Sequence, residues 1–254
     1  MEPFFNTPRC RLFLGDAQEV LEGFEDASVD CAVTSPPYYR LGRYNAGGPR
    51  DIGREKTPDG YTRRLEGVGR ELHRIVRPRG SFWLVIGDTC RDNEWLGVPW
   101  RVAFAVRDVG WKIRNEVIWW KAKPDPKGTH DRLGCSHEQG FHFVKGNGAP
   151  YDMNAMRKAR PLAGSRSTDV WVVPSENVRF PILRFESFPE ALVEGPIAAT
   201  CRPGGVVLDP FIGSGTTAAV ALRLGRFAIG IDISEEELQR ARRRVWELSQ
   251  DLAS

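Results

Sequence analysis

The stretch that most constrains this 254-residue chain is Val206-Val207-Leu208-Asp209-Pro210-Phe211-Ile212-Gly213-Ser214-Gly215-Thr216-Thr217. An apolar run suited to a buried strand leads into a glycine turn, and a small-residue helix is expected from Gly213 to Leu224. Gly213 and Gly215 let the backbone turn tightly and approach a ligand closely. The first turn of such a helix offers unpaired N–H groups to a polar or anionic partner. About 17 residues after Gly215 a second strand ends in Gly230-Ile231-Asp232, and an acid there can accept both hydroxyls of a ribose. The pattern fits an adenosine-containing cofactor. It lacks the Gly-Lys-Ser/Thr of a P-loop, the third glycine of a dinucleotide fingerprint and the Gly-x-Ser-x-Gly of a nucleophile elbow. A tight turn that binds nothing is the competing reading of these residues alone.

The same alternation runs through the whole chain. Strands are expected at 11–14, 30–34, 81–86, 117–120, 140–144, 206–208 and 227–231, and helices at 17–23, 60–76, 98–108, 188–200 and 234–248. Pro78 and Gly80 are expected to end the 60–76 helix. Ser234-Glu235-Glu236-Glu237 reads as a capping box. Trp119 and Trp120 alternate across a strand, so only one can face the core. Residues 149–186 show weak periodicity and read as a small irregular insert. This order predicts an α/β fold, a mostly parallel sheet with helices on both faces, in one domain over 1–254.

Some classes are disfavoured. The five cysteines are odd in number and scattered, which argues against a disulfide framework and a zinc site. No apolar run approaches the ~20 residues of a membrane span. The N-terminus lacks the layout of a signal peptide, so a cytoplasmic protein is expected. His137-Glu138-Gln139-Gly140-Phe141-His142 is one residue too long for a zinc helix, and a structural role at a strand start is expected for His137 and Glu138.

Thr34-Ser35-Pro36-Pro37-Tyr38-Tyr39 closes the 30–34 strand, where Pro-Pro cannot continue a ladder. Open α/β sheets put their chemistry at such carboxyl ends. The segment suits methylation of an exocyclic amino nitrogen, whose lone pair is delocalised into its ring. Accepting hydrogen bonds from both N–H groups frees that lone pair. Ser35 Oγ and the carbonyl of Pro36 are the expected acceptors, with Pro37 holding that carbonyl fixed. Tyr38 would offer a face to a base turned out of a helix. Catalysis would then be positioning and electrostatics, with direct displacement and no metal. Carbon-5 methylation of cytosine needs a thiolate, usually in a Pro-Cys pair, and the chain has none.

Charge points toward a polyanion. The net charge is +3, but between Arg40 and Arg79 eleven Lys or Arg face five acids. A solvated helix face accounts for residues 61–79. The polar loop over 40–60 is the better candidate for DNA contact, since loops that long are usually functional.

With both motifs in hand, the chain resembles the β-type DNA amino-methyltransferases of restriction–modification systems, which act on N4 of cytosine or N6 of adenine. In that group the catalytic segment precedes the cofactor segment, a permuted motif order, as Ser35–Tyr38 precedes Asp209–Thr217 here. Leu14-Gly15-Asp16-Ala17, Arg77-Pro78-Arg79-Gly80 through Gly87-Asp88, Ile118-Trp119-Trp120-Lys121, Ser136-His137-Glu138 and Phe188-Pro189-Glu190-Ala191-Leu192 also match. The resemblance implies a Rossmann-like, seven-stranded, mostly parallel sheet with one antiparallel strand near its edge. It implies S-adenosyl-L-methionine held by Asp16, Ala17, Ser35, Phe188, Pro189, Asp209, Pro210, Phe211, Gly213, Ser214, Gly215, Thr216, Thr217, Asp232 and Ile233. Ser35, Pro36, Pro37 and Tyr38 would be catalytic, and Ser-Pro-Pro-Tyr points to cytosine N4. Duplex DNA would be met by Tyr39, Arg40, Arg43, Arg50, Arg54, Lys121, Lys123, Arg157 and Lys158, with 149–186 as a small target-recognition region. The resemblance allows a cognate restriction endonuclease, with no physical contact implied, and leaves the oligomeric state open, a homodimer among the alternatives. Lys123-Pro124-Asp125-Pro126 departs from the family's usual Lys-Pro-Asn-Pro, which sets aside a direct contact by residue 125.

Overall fold

Apolar runs become strands and amphipathic runs become helices close to where the periodicity puts them. The computed structural model describes residues 2–41, 51–121, 133–159, 168–173 and 188–251. In chain order the elements are β1 (Phe5–Asn6), β2 (Cys10–Leu14), α1 (Ala17–Glu22), β3 (Val29–Thr34), α2 (Pro58–Ile75), β4 (Val76–Ile86), β5 (Cys90–Arg91), β6 (Glu94–Trp95), α3 (Val98–Asp108), β7 (Lys112–Trp120), β8 (His137–Val144), α4 (Met153–Ala159), β9 (Val170–Val172), α5 (Glu190–Thr200), β10 (Val206–Asp209), α6 (Thr216–Arg223), β11 (Phe227–Asp232) and α7 (Glu235–Asp251).

The main sheet has the order β1-β2-β11-β10-β3-β4-β8-β7-β9, and β5 and β6 form a separate hairpin. Strands β2, β11, β10, β3 and β4 run parallel. Strand β8 is antiparallel to both its neighbours. Among the described residues the sheet therefore has nine strands where seven were expected. The two extra strands are short edges: β1, of two residues, and β9, of three. The class is the expected one.

Alternation along each strand feeds two cores. On one face Ala32, Phe82, Leu84 and Leu208 pack with Val20, Leu72 and Val102 from α1, α2 and α3. On the other, Cys31, Val33, Trp83 and Val207 pack with Met156, Ile197, Val220 and Leu238 from α4 to α7. Cys31 is fully buried, as a core residue should be. Trp119 is 5% exposed and Trp120 45%, so Trp119 is the inward member. Its Nε1 donates to the carbonyl of Val173 at 2.8 Å. No helix among the described residues is long and apolar enough to cross a membrane.

Three local expectations need correction. Pro78 and Gly80 do not end a helix. Helix α2 stops at Ile75 and the chain enters β4 at once. Val29 pairs with Val76, and then Cys31 pairs with Ser81, so Arg77–Gly80 bulge from the ladder. Proline is tolerated there because no ladder bond is asked of it. Residues 149–186 are not wholly irregular, since they supply α4 and β9, and β9 joins the main sheet along β7. Arg160, Arg166 and residues 174–186 lie outside the described residues. The capping box is half formed: Ser234 Oγ accepts from the N–H of Glu237 at 3.3 Å. The Glu237 carboxylate turns to Arg240 instead, and Asp232 takes the N–H of Ser234.

Gly80 is required by the bulge, because a Cβ there would lie 2.6 Å from the carbonyl oxygen of Asp30. Gly80→Ala should destabilise the fold by about 1–3 kcal/mol through overpacking. Gly97 has φ +65° with open space around it, so Gly97→Ala should cost only about 1 kcal/mol, for its left-handed backbone. Urea unfolding measures both. A Gly80→Ala protein as stable as the wild type would contradict this packing.

Candidate active site

Strands β3 and β10 lie side by side in parallel, with Cys31 opposite Val207 and Ala32 opposite Leu208. Their carboxyl ends therefore reach the same rim. There Thr34 Oγ1 donates to Asp209 Oδ1 at 2.5 Å, and Thr217 Oγ1 donates to Asp209 Oδ2 at 2.6 Å. The N–H of Phe211 also donates to Oδ1, at 3.0 Å. Asp209 is 1% exposed. Burial pushes its carboxyl up from the ordinary 3.8 to about 6, against the opposing pull of these hydrogen bonds. One buried carboxylate thus joins the residue before Ser35 to the glycine turn 175 positions away.

The turn is built on two left-handed glycines. Gly215, with φ +86°, caps α6, and a Cβ on it would come within 2.9 Å of Ala241 Cα. Gly213, with φ +49°, opens on free space. Asp232, at the end of β11, holds the turn by accepting from Gly213 N at 2.9 Å and from Ser234 N at 2.8 Å. Burial pushes its carboxyl up to about 6 as well. Pro210 is buried, while Phe211, Ser214 and Ile233 are half-buried.

Asp16 follows β2, the neighbour of β11. Its Oδ1 caps α1 by accepting from Gln18 N at 2.9 Å and Glu19 N at 3.3 Å. Its Oδ2 pairs with Arg64 at 2.9 Å, and Ala17 is buried behind it. Phe188 and Pro189 lead into α5. The next residue, Glu190, accepts from Arg223 and from Arg244, and Arg244 also donates to Thr216 Oγ1 at 3.0 Å. This ties the Phe188–Glu190 segment to the start of α6. Acids at the ends of β2 and β11, with open backbone at Gly213 between them, are groups that could hold the hydroxyls and amine of a nucleoside.

The Ser-Pro-Pro-Tyr segment is clamped from behind. Tyr61 Oη donates to the carbonyl of Pro37 at 2.9 Å, and Thr89 Oγ1 donates to that of Tyr39 at 2.5 Å. The N–H of Arg40 donates to the carbonyl of Gly53 at 2.8 Å. The Tyr38 ring lies on Gly87, where a Cβ would be 2.7 Å from Cε2. Pro36 is buried, and Ser35, Pro37 and Tyr38 are half-buried. Ser35 Oγ donates to Tyr38 Oη at 3.2 Å, and Tyr38 Oη donates to Glu138 Oε2 at 2.5 Å. The Lys121 ammonium pairs with the other oxygen of Glu138.

The residues expected at the DNA surface divide. Arg40, Arg157 and Lys158 are exposed, and Arg54 stands 3.8 Å from Asp51. Tyr39 is corrected: its ring is 1% exposed, tilted against that of Tyr61, and its hydroxyl donates to the carbonyl of Lys56. A ring packed this way supports the loop from inside. Lys121 faces Glu138 and Trp119. Arg43, Arg50 and Lys123 lie outside the described residues. Thr34, Tyr61, Thr89 and Glu138 are site residues that the sequence did not single out as such. Thr34 could have been found as the last residue of the strand. Glu138 was given only a structural part, because nothing in its neighbourhood tells which way its strand runs.

A sheet whose carboxyl rim joins a glycine turn to a Ser-Pro-Pro-Tyr loop defines a Rossmann-like methyltransferase. Residues 29–243 match the DNA methylase family, and the chain belongs to that N6/N4 methyltransferase family. It is 34% identical over 272 residues to the Type II methyltransferase M.SmaI of Serratia marcescens, covering 94% of this chain and 92% of that protein. It is also 34% identical over 264 residues to M.XycI of Xanthomonas campestris pv. cyanopsidis, covering 92% and 87%. TTHA0409 of Thermus thermophilus, solved with S-adenosyl-L-methionine, superposes with a TM-score of 0.70 at 27% identity, over 94% of this chain and 95% of that one. The cytosine-N4-specific PvuII DNA methyltransferase shares the fold, with a TM-score of 0.80 at 20% identity, over 98% and 93%.

The raised carboxyl of Asp209 makes a pH prediction. Its folded value near 6 exceeds the ordinary 3.8, so the native state holds the proton more tightly. The stability this gives is fully present below about pH 4 and lost as pH rises through 6. Asp209→Asn does not titrate. From pH 4 to 7 the variant should therefore gain on the wild type by about 2–3 kcal/mol, read as the change in the difference between their unfolding free energies. A constant difference across that range would contradict the assignment.

Proposed function

We propose that the protein methylates N4 of cytosine at a specific site in duplex DNA, with S-adenosyl-L-methionine as its cofactor. The observation that carries this reading is the Thr34–Asp209 bond, which keeps Ser35 beside the glycine turn. When bound there, the cofactor supplies an electrophilic methyl sulfonium. The turn from Asp209 to Thr217, together with Asp16, Asp232, Phe188 and Pro189, would hold it.

The chain's own groups do the rest. Ser35 Oγ and the carbonyl of Pro36 accept the two N–H bonds of an amino group and hold its nitrogen in place. Buried Pro36 and the clamped Pro37 keep that carbonyl from turning. Tyr38 stacks against a base turned out of the duplex. A neutral serine acceptor favours cytosine N4, with adenine N6 as the second reading. The 40–60 loop and the 149–186 region, with Arg40, Arg54, Arg157 and Lys158, would meet the DNA backbone. Likeness to Type II methyltransferases supports a role in modification, paired with a restriction endonuclease.

Incubating the protein with unmethylated phage DNA and tritiated S-adenosyl-L-methionine, followed by nucleoside analysis, tests the base. N4-methyldeoxycytidine is expected, and N6-methyldeoxyadenosine alone would overturn the cytosine assignment. Two variants separate the roles. Tyr38→Ala should keep cofactor affinity and lose turnover, by about 1–3 kcal/mol if stacking is what it provides. Asp209→Ala leaves Thr34, Thr217 and Phe211 N without their acceptor, and calorimetry should show cofactor binding abolished. Equal loss of cofactor affinity in both would sink this division of labour.

A further inference from the structure

We propose that Glu138 is a positioning residue that makes Ser35 an acceptor and never a donor, so that the site takes an amino group and refuses a carbonyl. This rests on the amino-methyltransferase reading above and names how that site selects its base.

Which atoms can give protons decides the direction of each bond. A carboxylate only accepts, and an ammonium only donates. Glu138 is 8% exposed, and Lys121 occupies its Oε1. Its Oε2 is met by Tyr38 Oη at 2.5 Å, so the phenol must spend its single proton on Glu138. Tyr38 Oη can then only accept from Ser35 Oγ, which stands 3.2 Å away. Ser35 in turn spends its one proton on Tyr38, and both lone pairs of its oxygen are left for the base. A hydroxyl is normally either donor or acceptor. Here a charge two links away fixes its direction.

The chemical consequence is discrimination. The N4 amine of cytosine donates at the position where thymine and uracil carry an accepting O4, and the N6 amine of adenine donates where guanine carries an accepting O6. An acceptor-only Ser35 bonds the amine and repels the carbonyl. Without a carboxylate at 138 the chain of hydroxyls can run either way. Ser35 could then donate to the amino nitrogen and occupy the lone pair that must attack.

Glu138→Gln tests this, because its amide is nearly isosteric but can donate to Tyr38. With unmethylated phage DNA and S-adenosyl-L-methionine both saturating, kcat should fall by about tenfold or more. KM for DNA, affinity for the cofactor and thermal midpoint should stay near wild type. Tyr38→Phe breaks the same chain, so the double variant Glu138→Gln/Tyr38→Phe should be no slower than Tyr38→Phe alone. Multiplicative losses, or a Glu138→Gln protein with wild-type kcat, would overturn the proposal. A readout independent of turnover is the proton NMR spectrum. A phenol donating to a carboxylate gives a far-downfield resonance, expected in the wild type and absent from both single variants. Its absence from the wild type would also overturn the proposal. If the wild type shows that resonance but moves no methyl to DNA, the functional reading fails and the polarity of the chain stands.

Discussion

The site depends on one buried carboxylate. Parallel pairing of β3 and β10 brings two loops to the same edge of the sheet, but sheet pairing alone leaves their tips free to shift. Asp209 removes that freedom. It receives a hydroxyl from Thr34, the last residue before Ser35, and a hydroxyl from Thr217 in the first turn of α6. A carboxylate taken out of water is expensive unless its lone pairs are filled, and here three donors fill them. Any displacement of either loop would leave buried donors without an acceptor.

The Ser-Pro-Pro-Tyr loop needs support on its other side too. That support comes from the layer that contains α2 and from the carboxyl end of β4. Tyr61 of α2 fixes the Pro37 carbonyl, Thr89 fixes that of Tyr39, and Gly87 leaves room for the Tyr38 ring. A reaction that relies on orienting a weak nucleophile toward a methyl group gains most from such rigidity, because small misplacements cost large factors in rate. Two prolines in sequence supply the intrinsic part, and the hydrogen bonds on either side supply the rest.

Much of this was legible in the chain. The run from Val206 to Thr217 announces a strand, a turn and a helix because each step has its own local chemistry: a continuous apolar run, left-handed glycines and a small-residue helix. Ser35–Tyr38 was legible for the same reason, since Pro-Pro must stop a strand. What failed was decided by partners outside the motif itself. Pro78 and Gly80 are ordinary helix stops, yet they sit inside β4 because Asp30 and Arg77 anchor a bulge there. Tyr39 reads as a surface ring beside a basic loop, yet it is buried against Tyr61. The acid three residues into α7 fits a capping box, but Asp232 reaches the Ser234 N–H first. In the first two cases a residue 47 or 22 positions away, brought close by the fold, outcompetes the local signal, and in the third a neighbouring acid outside the motif does.

Glu138 shows the same principle at the level of topology. In a purely parallel sheet every strand would bring its last residues to the catalytic rim, and the first residues of a strand would lie at the far edge. Strand β8 runs against β4 and β7, so its second residue arrives where its neighbours end. Lys121, just beyond β7, comes to the same place from the opposite direction along the chain. One reversed strand therefore lets an acid and a base 17 positions apart meet beneath Tyr38. The antiparallel strand is thus part of the site as well as of the sheet, and its direction decides which residue can set the polarity of the hydroxyls above it.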